Sequence, residues 1–147
     1  MERLVSPLIL EKPVDVYGIE LIDGMKIIVD GEYRDGALWA GDYYADGPAA
    51  YRYLDGGARI WRNSLLAIAS RQYASGKLPS CVSTKLKYRT LSPFIESYNF
   101  WWILTADEYI KKTNDQDFRE VFIKVLEDVV KYFGPKVDKD FLIVKYP

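Results

Sequence analysis

Residues 30–42 read Asp-Gly-Glu-Tyr-Arg-Asp-Gly-Ala-Leu-Trp-Ala-Gly-Asp, placing three aspartates (Asp30, Asp35, Asp42), Arg34 and Trp39 within thirteen positions. Carboxylates gathered this closely cannot all ionise cheaply, so one of them becomes a proton donor. An indole among them offers a flat wall for the C–H face of a pyranose. The chain contains no histidine, which removes Ser-His and Cys-His nucleophiles and His-based metal sites together. Carboxylates are left as the acid/base groups. A run of Asx turns with solvated carboxylates would contain the same residues, and the chemistry by itself leaves both readings open.

Composition narrows the partners. The 147 residues carry 20 Lys+Arg against 21 Asp+Glu, a formal charge of −1. Such a balance generates no field to recruit nucleic acid or anionic lipid, so neither is expected as a partner. Cys81 is the single cysteine, which excludes an intramolecular disulfide and makes a cytoplasmic location the default. Residues 4–10 form an apolar stretch broken by Ser6 and Pro7, too short for a signal segment or a membrane span. Aromatic residues make up 15% of the chain, clustered in residues 39–53 and 98–102. Sugar sites use such rings, and so do hydrophobic cores.

The elements that must position these residues follow from periodicity. Residues 14–22 and 25–29 are β-branched and apolar, with Asp23-Gly24 between them as a hairpin turn. Residues 30–57 are rich in glycine and aromatics and include Pro48, which predicts a long irregular segment. Ile60, Trp61, Ser64, Leu65, Ile68, Ala69 and Tyr73 then lie on one helical stripe that Gly76 stops. Residues 75–92 read as a polar connection with a basic run at Lys85, Lys87 and Arg89, taken as solvated surface. A second helix is predicted over 93–112, opened by Pro93, with Ile95, Tyr98, Trp101, Trp102, Thr105 and Tyr109 on its apolar face. Asn114 and Asp115 cap a third, where Phe118, Val121, Phe122, Val125, Leu126, Val129 and Phe133 give the cleanest helical pattern before Gly134-Pro135. The short link makes these two an antiparallel αα-hairpin. Residues 141–144 are a short apolar run, a small strand or an extended tail.

The 30–42 segment resembles the motif D-G-x-x-R-[DE]-x-x-x-W-x-G-D of the α-L-rhamnosidase family, with its second and third acids five and twelve positions after the first. The similarity continues through residues 62–72 and Gly76-Lys-Leu-Pro79, then through residues 98–120, so it covers nearly all of the chain after residue 25. It departs where the family often has Arg and this chain has Gly36, and where the family's turn glycine is Asn114. The resemblance implies a mainly α fold: part of an (α/α)6 six-hairpin toroid with a short N-terminal β-hairpin. Residues 1–147 would form one partial catalytic domain, with residues 1–29 as hairpin segment, 30–57 as acidic and aromatic active-site loop, and 58–147 as helical-hairpin region.

Carried over residue by residue, the resemblance makes Asp35 the general acid that protonates the departing glycosidic oxygen of a terminal α-L-rhamnoside. Asp30 and Asp42 become carboxylates that bind sugar hydroxyls and keep a proton on Asp35. Arg34 contacts the sugar or orients the acids, and Trp39 walls the 6-methyl side of the ring. No metal and no cofactor are implied. The family inverts configuration, so a second carboxylate must activate water on the opposite face. Glu96, Glu120 and Glu127 read as helix-surface charges, and none of them supplies that base. The expectation is therefore a partial glycosidase for a carbohydrate substrate, completed by a second polypeptide or by self-association, as one part of a split enzyme or as a truncated gene product. Two alternatives stand beside it: a non-catalytic carbohydrate-binding or interaction remnant, and a six-hairpin glycosidase for another sugar.

Overall fold

A computed structural model of the chain describes residues 14–16, 19–21, 26–30, 37–83 and 94–136. Arg34, Asp35, the Asp23-Gly24 turn, the basic run at Lys85, Lys87 and Arg89, Pro93 and residues 141–144 lie outside the described residues. The fold is mainly helical, as the periodicity requires. In chain order it comprises β1 (Val14–Val16), β2 (Ile19–Leu21), β3 (Ala37–Trp39), α1 (Tyr43–Tyr53), α2 (Gly57–Ala69), β4 (Cys81–Ser83), α3 (Ser97–Thr113) and α4 (Gln116–Phe133), closed by a 3-10 turn over Gly134–Lys136.

The N-terminal hairpin exists in a shifted register. Val14 pairs with Leu21 and Val16 with Ile19, so the two residues between the strands are Tyr17 and Gly18. The stretch expected as its second strand instead runs beside α2. There Ile27, Ile28 and Val29 are buried, the Ile28 N–H donates to Ser64 Oγ at 2.8 Å, and Asn63 Nδ2 donates to the Lys26 carbonyl at 3.2 Å. Backbone groups that a strand partner would have satisfied are here bonded in part by two polar side chains of a helix.

The segment expected to be irregular contains β3 and an eleven-residue helix, α1. Gly47 and Pro48 sit inside that helix, and local signals alone would end it there. Tertiary packing prevails. A Cβ at Gly47 would lie 2.2 Å from Trp61 Nε1, and one at Gly57 would lie 1.9 Å from the Ala50 carbonyl oxygen. Both glycines thus let α1 and α2 approach closely, and the burial of Trp61 and Tyr43 between them outweighs a missing hydrogen bond.

Nearly every residue of α2 from Ile60 onward is buried, including Trp61, Leu65, Leu66 and Ile68, so α2 is the axis on which the other elements pack. Trp102 of α3 donates its indole N–H to the Leu65 carbonyl at 3.1 Å. Trp61, Tyr109 and Phe118 form edge-to-face contacts at 5.4 and 5.0 Å between centroids, the geometry aromatic quadrupoles favour. The third predicted helix is observed as α4, with Phe118, Val121, Val125, Val129 and Phe133 buried on one stripe. Asp115 caps it by accepting the Phe118 N–H at 2.9 Å, and Asn114 ends α3 in the left-handed region, with φ 54°. That residue type tolerates such a backbone and replaces a turn glycine.

Two further expectations change. α3 begins at Ser97, and Trp101 faces outward with 38% of its surface exposed, while Asn99, Trp102, Thr105, Ala106 and Tyr109 line the core. The polar connection after α2 includes a buried strand: β4 pairs antiparallel with β3, Ala37 opposite Ser83 and Trp39 opposite Cys81. Within the described residues no helix is long and apolar enough to cross a membrane.

Candidate functional site

The acidic motif is built on β3 and the N-terminus of α1. Asp30 is 94% removed from solvent, with a relative exposure of 6%. Its backbone N–H donates to the Ala37 carbonyl at 2.9 Å, and its Oδ1 accepts the Ala37 N–H at 2.8 Å. Its Oδ2 accepts the Trp39 indole N–H at 3.0 Å. A buried carboxylate that receives N–H donors on both oxygens is compensated for the loss of water. Asp30 is therefore tied to Ala37 at the start of β3 and holds the indole of Trp39. Of the five candidate site residues, the structure brings Asp30 and Trp39 into direct contact and seats Asp42 three residues beyond, while Arg34 and Asp35 lie outside the described residues.

Asp42 precedes α1 as its N-cap, with a helical backbone and no side-chain capping bond. Its carbonyl accepts the Ala45 and Asp46 N–H groups at 3.2 and 3.1 Å. Asp46 follows in the first turn, and a negative charge there is favoured by the helix dipole. Partial desolvation, and then the neighbouring charge of Asp42, raise the Asp46 carboxyl above its ordinary value even though part of its side chain meets solvent. Beneath them lies Tyr43, whose hydroxyl donates to the Ser64 carbonyl at 3.3 Å. Burial, followed by the charges of Asp42, Cys81 and Asp46, pushes its phenol well above the usual range, so it stays protonated. Both groups hold their protons more tightly than they would in water.

The glycine of the motif has a steric role. A Cβ on Gly41 would stand 2.7 Å from the ring of Tyr98, so that ring lies directly on the Gly41 backbone. Tyr98 also meets Trp39 edge to face at 6.2 Å. Tyr44 and Trp101 pair at 4.7 Å between centroids, tilted by 55°. Tyr44 is 47% exposed, so two aromatic pairs flank the acids, the outer one open to solvent. Flat rings beside carboxylates suit a polyol with an apolar face.

Sequence reasoning alone does not find Ser80 or Tyr98 as part of this site. Ser80 joins it through long-range bonds: its carbonyl accepts the Ala40 N–H at 2.9 Å, and its hydroxyl donates to the Ile95 carbonyl at 3.3 Å while accepting the Ile95 N–H. Nothing in its local sequence signals this. Tyr98 has a partial signal in its position on a helical stripe. Glu120 and Glu127 are exposed, as read from the sequence. Glu96 differs from its expected place as a surface charge, because its Oε2 is buried and has no hydrogen-bond partner. Among the described residues no group of three His, Cys, Asp or Glu side chains is arranged to hold a metal ion.

Comparison with protein-family models, with curated proteins and with solved structures finds no match to this chain.

Proposed function

We propose that this chain forms the general-acid side of an inverting glycoside hydrolase for terminal α-L-rhamnosides. The observation that carries the reading is the buried carboxylate of Asp30, which is tied to Ala37 at the start of β3 and to the indole of Trp39. In this reading Asp35 delivers its proton to the glycosidic oxygen as the bond to the anomeric carbon breaks, and Trp39 walls the deoxyhexose. Arg34 and Asp42 orient the sugar hydroxyls. The helical pairs α1–α2 and α3–α4 are two hairpins of an (α/α)6 ring. Water attacks from the opposite face, activated by a carboxylate roughly 6.5–9.5 Å from the acid. That base comes from a second polypeptide or a second copy that completes the ring.

The test is saturation-transfer NMR with methyl α-L-rhamnopyranoside. Transfer to the ring and 6-methyl protons is expected, together with its loss in Trp39→Ala. Equal transfer to methyl α-D-glucopyranoside, or none to the rhamnoside, would remove the reading.

A second reading, a non-catalytic carbohydrate-binding module, is favoured by the full use of both Asp30 carboxylate oxygens inside the protein. Asp35→Asn separates the two. Rhamnoside binding survives that change in either case, whereas hydrolysis of an aryl rhamnoside by the assembled protein collapses only if Asp35 is the acid.

A further inference from the structure

We propose that Tyr44 and Trp101 form a second sugar subsite, which takes the pyranose that the scissile bond joins to the rhamnose, so that the substrate is a rhamnosyl saccharide. The inference rests on the glycosidase reading above and gives that reading its leaving group.

Among the described residues, the other exposed rings are held by the protein itself. Tyr51 packs edge to face on the buried Trp61, and Phe100 packs on the buried Phe133. The faces of Tyr53 and Tyr73 are covered by Arg52 and Lys77. Tyr44 and Trp101 differ. They are exposed by 47% and 38%, and their ring contact is with each other, at 4.7 Å between centroids and a tilt of 55°. Neither the Tyr44 hydroxyl nor the Trp101 indole N–H is bonded to another described residue. Open ring faces suit the C–H groups of a pyranose, and the O–H and N–H at their edges suit its hydroxyls.

Their position places this pair one step beyond Trp39. The ring of Tyr98 lies on the Gly41 backbone and meets Trp39 edge to face at 6.2 Å. Three residues further along both segments, Tyr44 meets Trp101. Three residues of helix rise about 4.5 Å, close to the length of one sugar ring. Another three residues reach Gly47, which is buried, and Leu104, which is aliphatic. The seam of α1 and α3 thus carries two aromatic steps, the inner one half-buried and the outer one open, which matches two sugar rings.

Size and charge select the occupant. With under half of each ring exposed, the pair offers roughly 170 Å² of surface, whereas a stable protein interface buries about 800 Å² on each partner. The charged residues beside Tyr44 in the first turn of α1, Asp42 and Asp46, are acidic, which turns away uronic and phosphorylated sugars. A neutral saccharide meets neither obstacle.

Isothermal titration of wild type, Tyr44→Ala and Trp101→Ala tests the assignment, using methyl α-L-rhamnopyranoside and an α-L-rhamnosyl-D-glucose disaccharide. Thermal unfolding of each variant is followed in parallel and should stay close to that of wild type, because both side chains are exposed. Wild type is expected to bind the disaccharide about tenfold tighter than the methyl rhamnoside, through the additional sugar face buried on the rings. In both alanine variants the two affinities should converge, while Trp101→Phe, which keeps a flat ring, retains most of the difference. A wild type that binds both sugars equally, or alanine variants that keep the preference, would overturn the subsite and leave the glycosidase reading standing, since the methyl rhamnoside still binds. Loss of self-association in Trp101→Ala with the preference intact would assign the rings to a protein contact instead. A wild-type protein that binds neither sugar would end both readings.

Discussion

Asp30 and Trp39 hold each other across the base of the acidic segment, the indole N–H donating to Oδ2 at 3.0 Å while Oδ1 receives the Ala37 N–H. Removing the carboxylate leaves two N–H donors without their acceptor. We predict that Asp30→Ala lowers the unfolding free energy by about 3 kcal/mol, since bonds to a charged acceptor and the orphaned donors both count. Urea denaturation followed by tryptophan fluorescence measures this. A loss below about 1 kcal/mol would mean that water replaces the carboxylate without penalty.

A second prediction concerns the junction of α2, α3 and α4. Asp115 Oδ2 accepts from Arg62 Nε and from the Tyr109 hydroxyl, each at 2.8 Å, while Oδ1 caps α4. Burial pushes the Asp115 carboxyl upward, but the Phe118 N–H, the Tyr109 hydroxyl and Arg62 outweigh it and hold the group below its ordinary value. The folded protein therefore takes up this proton less readily than the unfolded chain. The stabilisation is complete above about pH 4 and is lost as pH falls through the folded value. Asp115→Asn should cost about 2 kcal/mol at neutral pH and flatten the acid limb of a stability-versus-pH curve; an unaltered limb would refute the assignment.

The same junction contributes to the alkaline limb. Desolvation first, and then the bond to Asp115 and its charge, raise the Tyr109 phenol far above its usual value. The unfolded chain ionises first, so the contribution is complete below about pH 10 and declines as pH rises beyond it. Tyr109→Phe is expected to make that decline shallower, leaving the part that the raised phenol of Tyr43 contributes, as read by urea midpoints between neutral and strongly alkaline pH. A variant as alkali-sensitive as wild type would place the decline elsewhere.

Two left-handed glycines should respond differently to alanine. Gly56 has φ 67° with open space around it, whereas Gly76 has φ 97° and a Cβ there would lie 2.1 Å from the Asp128 carbonyl oxygen. Gly56→Ala carries only the backbone penalty, about 1–2 kcal/mol. Gly76→Ala adds a steric clash with α4 and should cost roughly 3 kcal/mol or more. Equal losses in chemical denaturation would show that the α4 backbone yields.

The proposed need for a partner has a direct readout. Phe100, Trp101 and Leu104 on α3 and Ile123 and Val130 on α4 are exposed, and grouped apolar surface favours association. Sedimentation velocity should show a species larger than a monomer of 17.0 kDa. A strictly monomeric protein that does not enhance ANS fluorescence at high concentration would show that the four helices close their own core.

What the sequence makes legible is whatever depends on local period. α4, its Asp115 cap and the two-residue link to α3 are visible because their apolar stripe repeats every three to four residues. The N-terminal hairpin is visible as a type but not in register, because the sequence offers two glycine-containing dipeptides, Tyr17-Gly18 and Asp23-Gly24, within ten residues of each other. α1 is hidden, since Gly47 and Pro48 signal a break and the reason they do not break it, Trp61, is another helix away. β4 is hidden for the same kind of reason: its partner lies in a segment that reads as a loop. In the candidate site, the acids and Trp39 stand out by spacing, while Ser80 emerges only through bonds between distant segments.

The pairing of Trp39 with Cys81 also governs when the acidic end comes into being. Closing that ladder spans roughly forty residues and must overcome the entropy of so wide a loop, whereas α3 and α4 meet across a two-residue link. The helical hairpin is thus expected to nucleate early and the ladder to zip late. In pulse-labelled refolding, amides of α4 should gain protection before that of Ala40, whose acceptor is Ser80. Nascent chains would then acquire their chemistry last, after the scaffold has already committed to its shape.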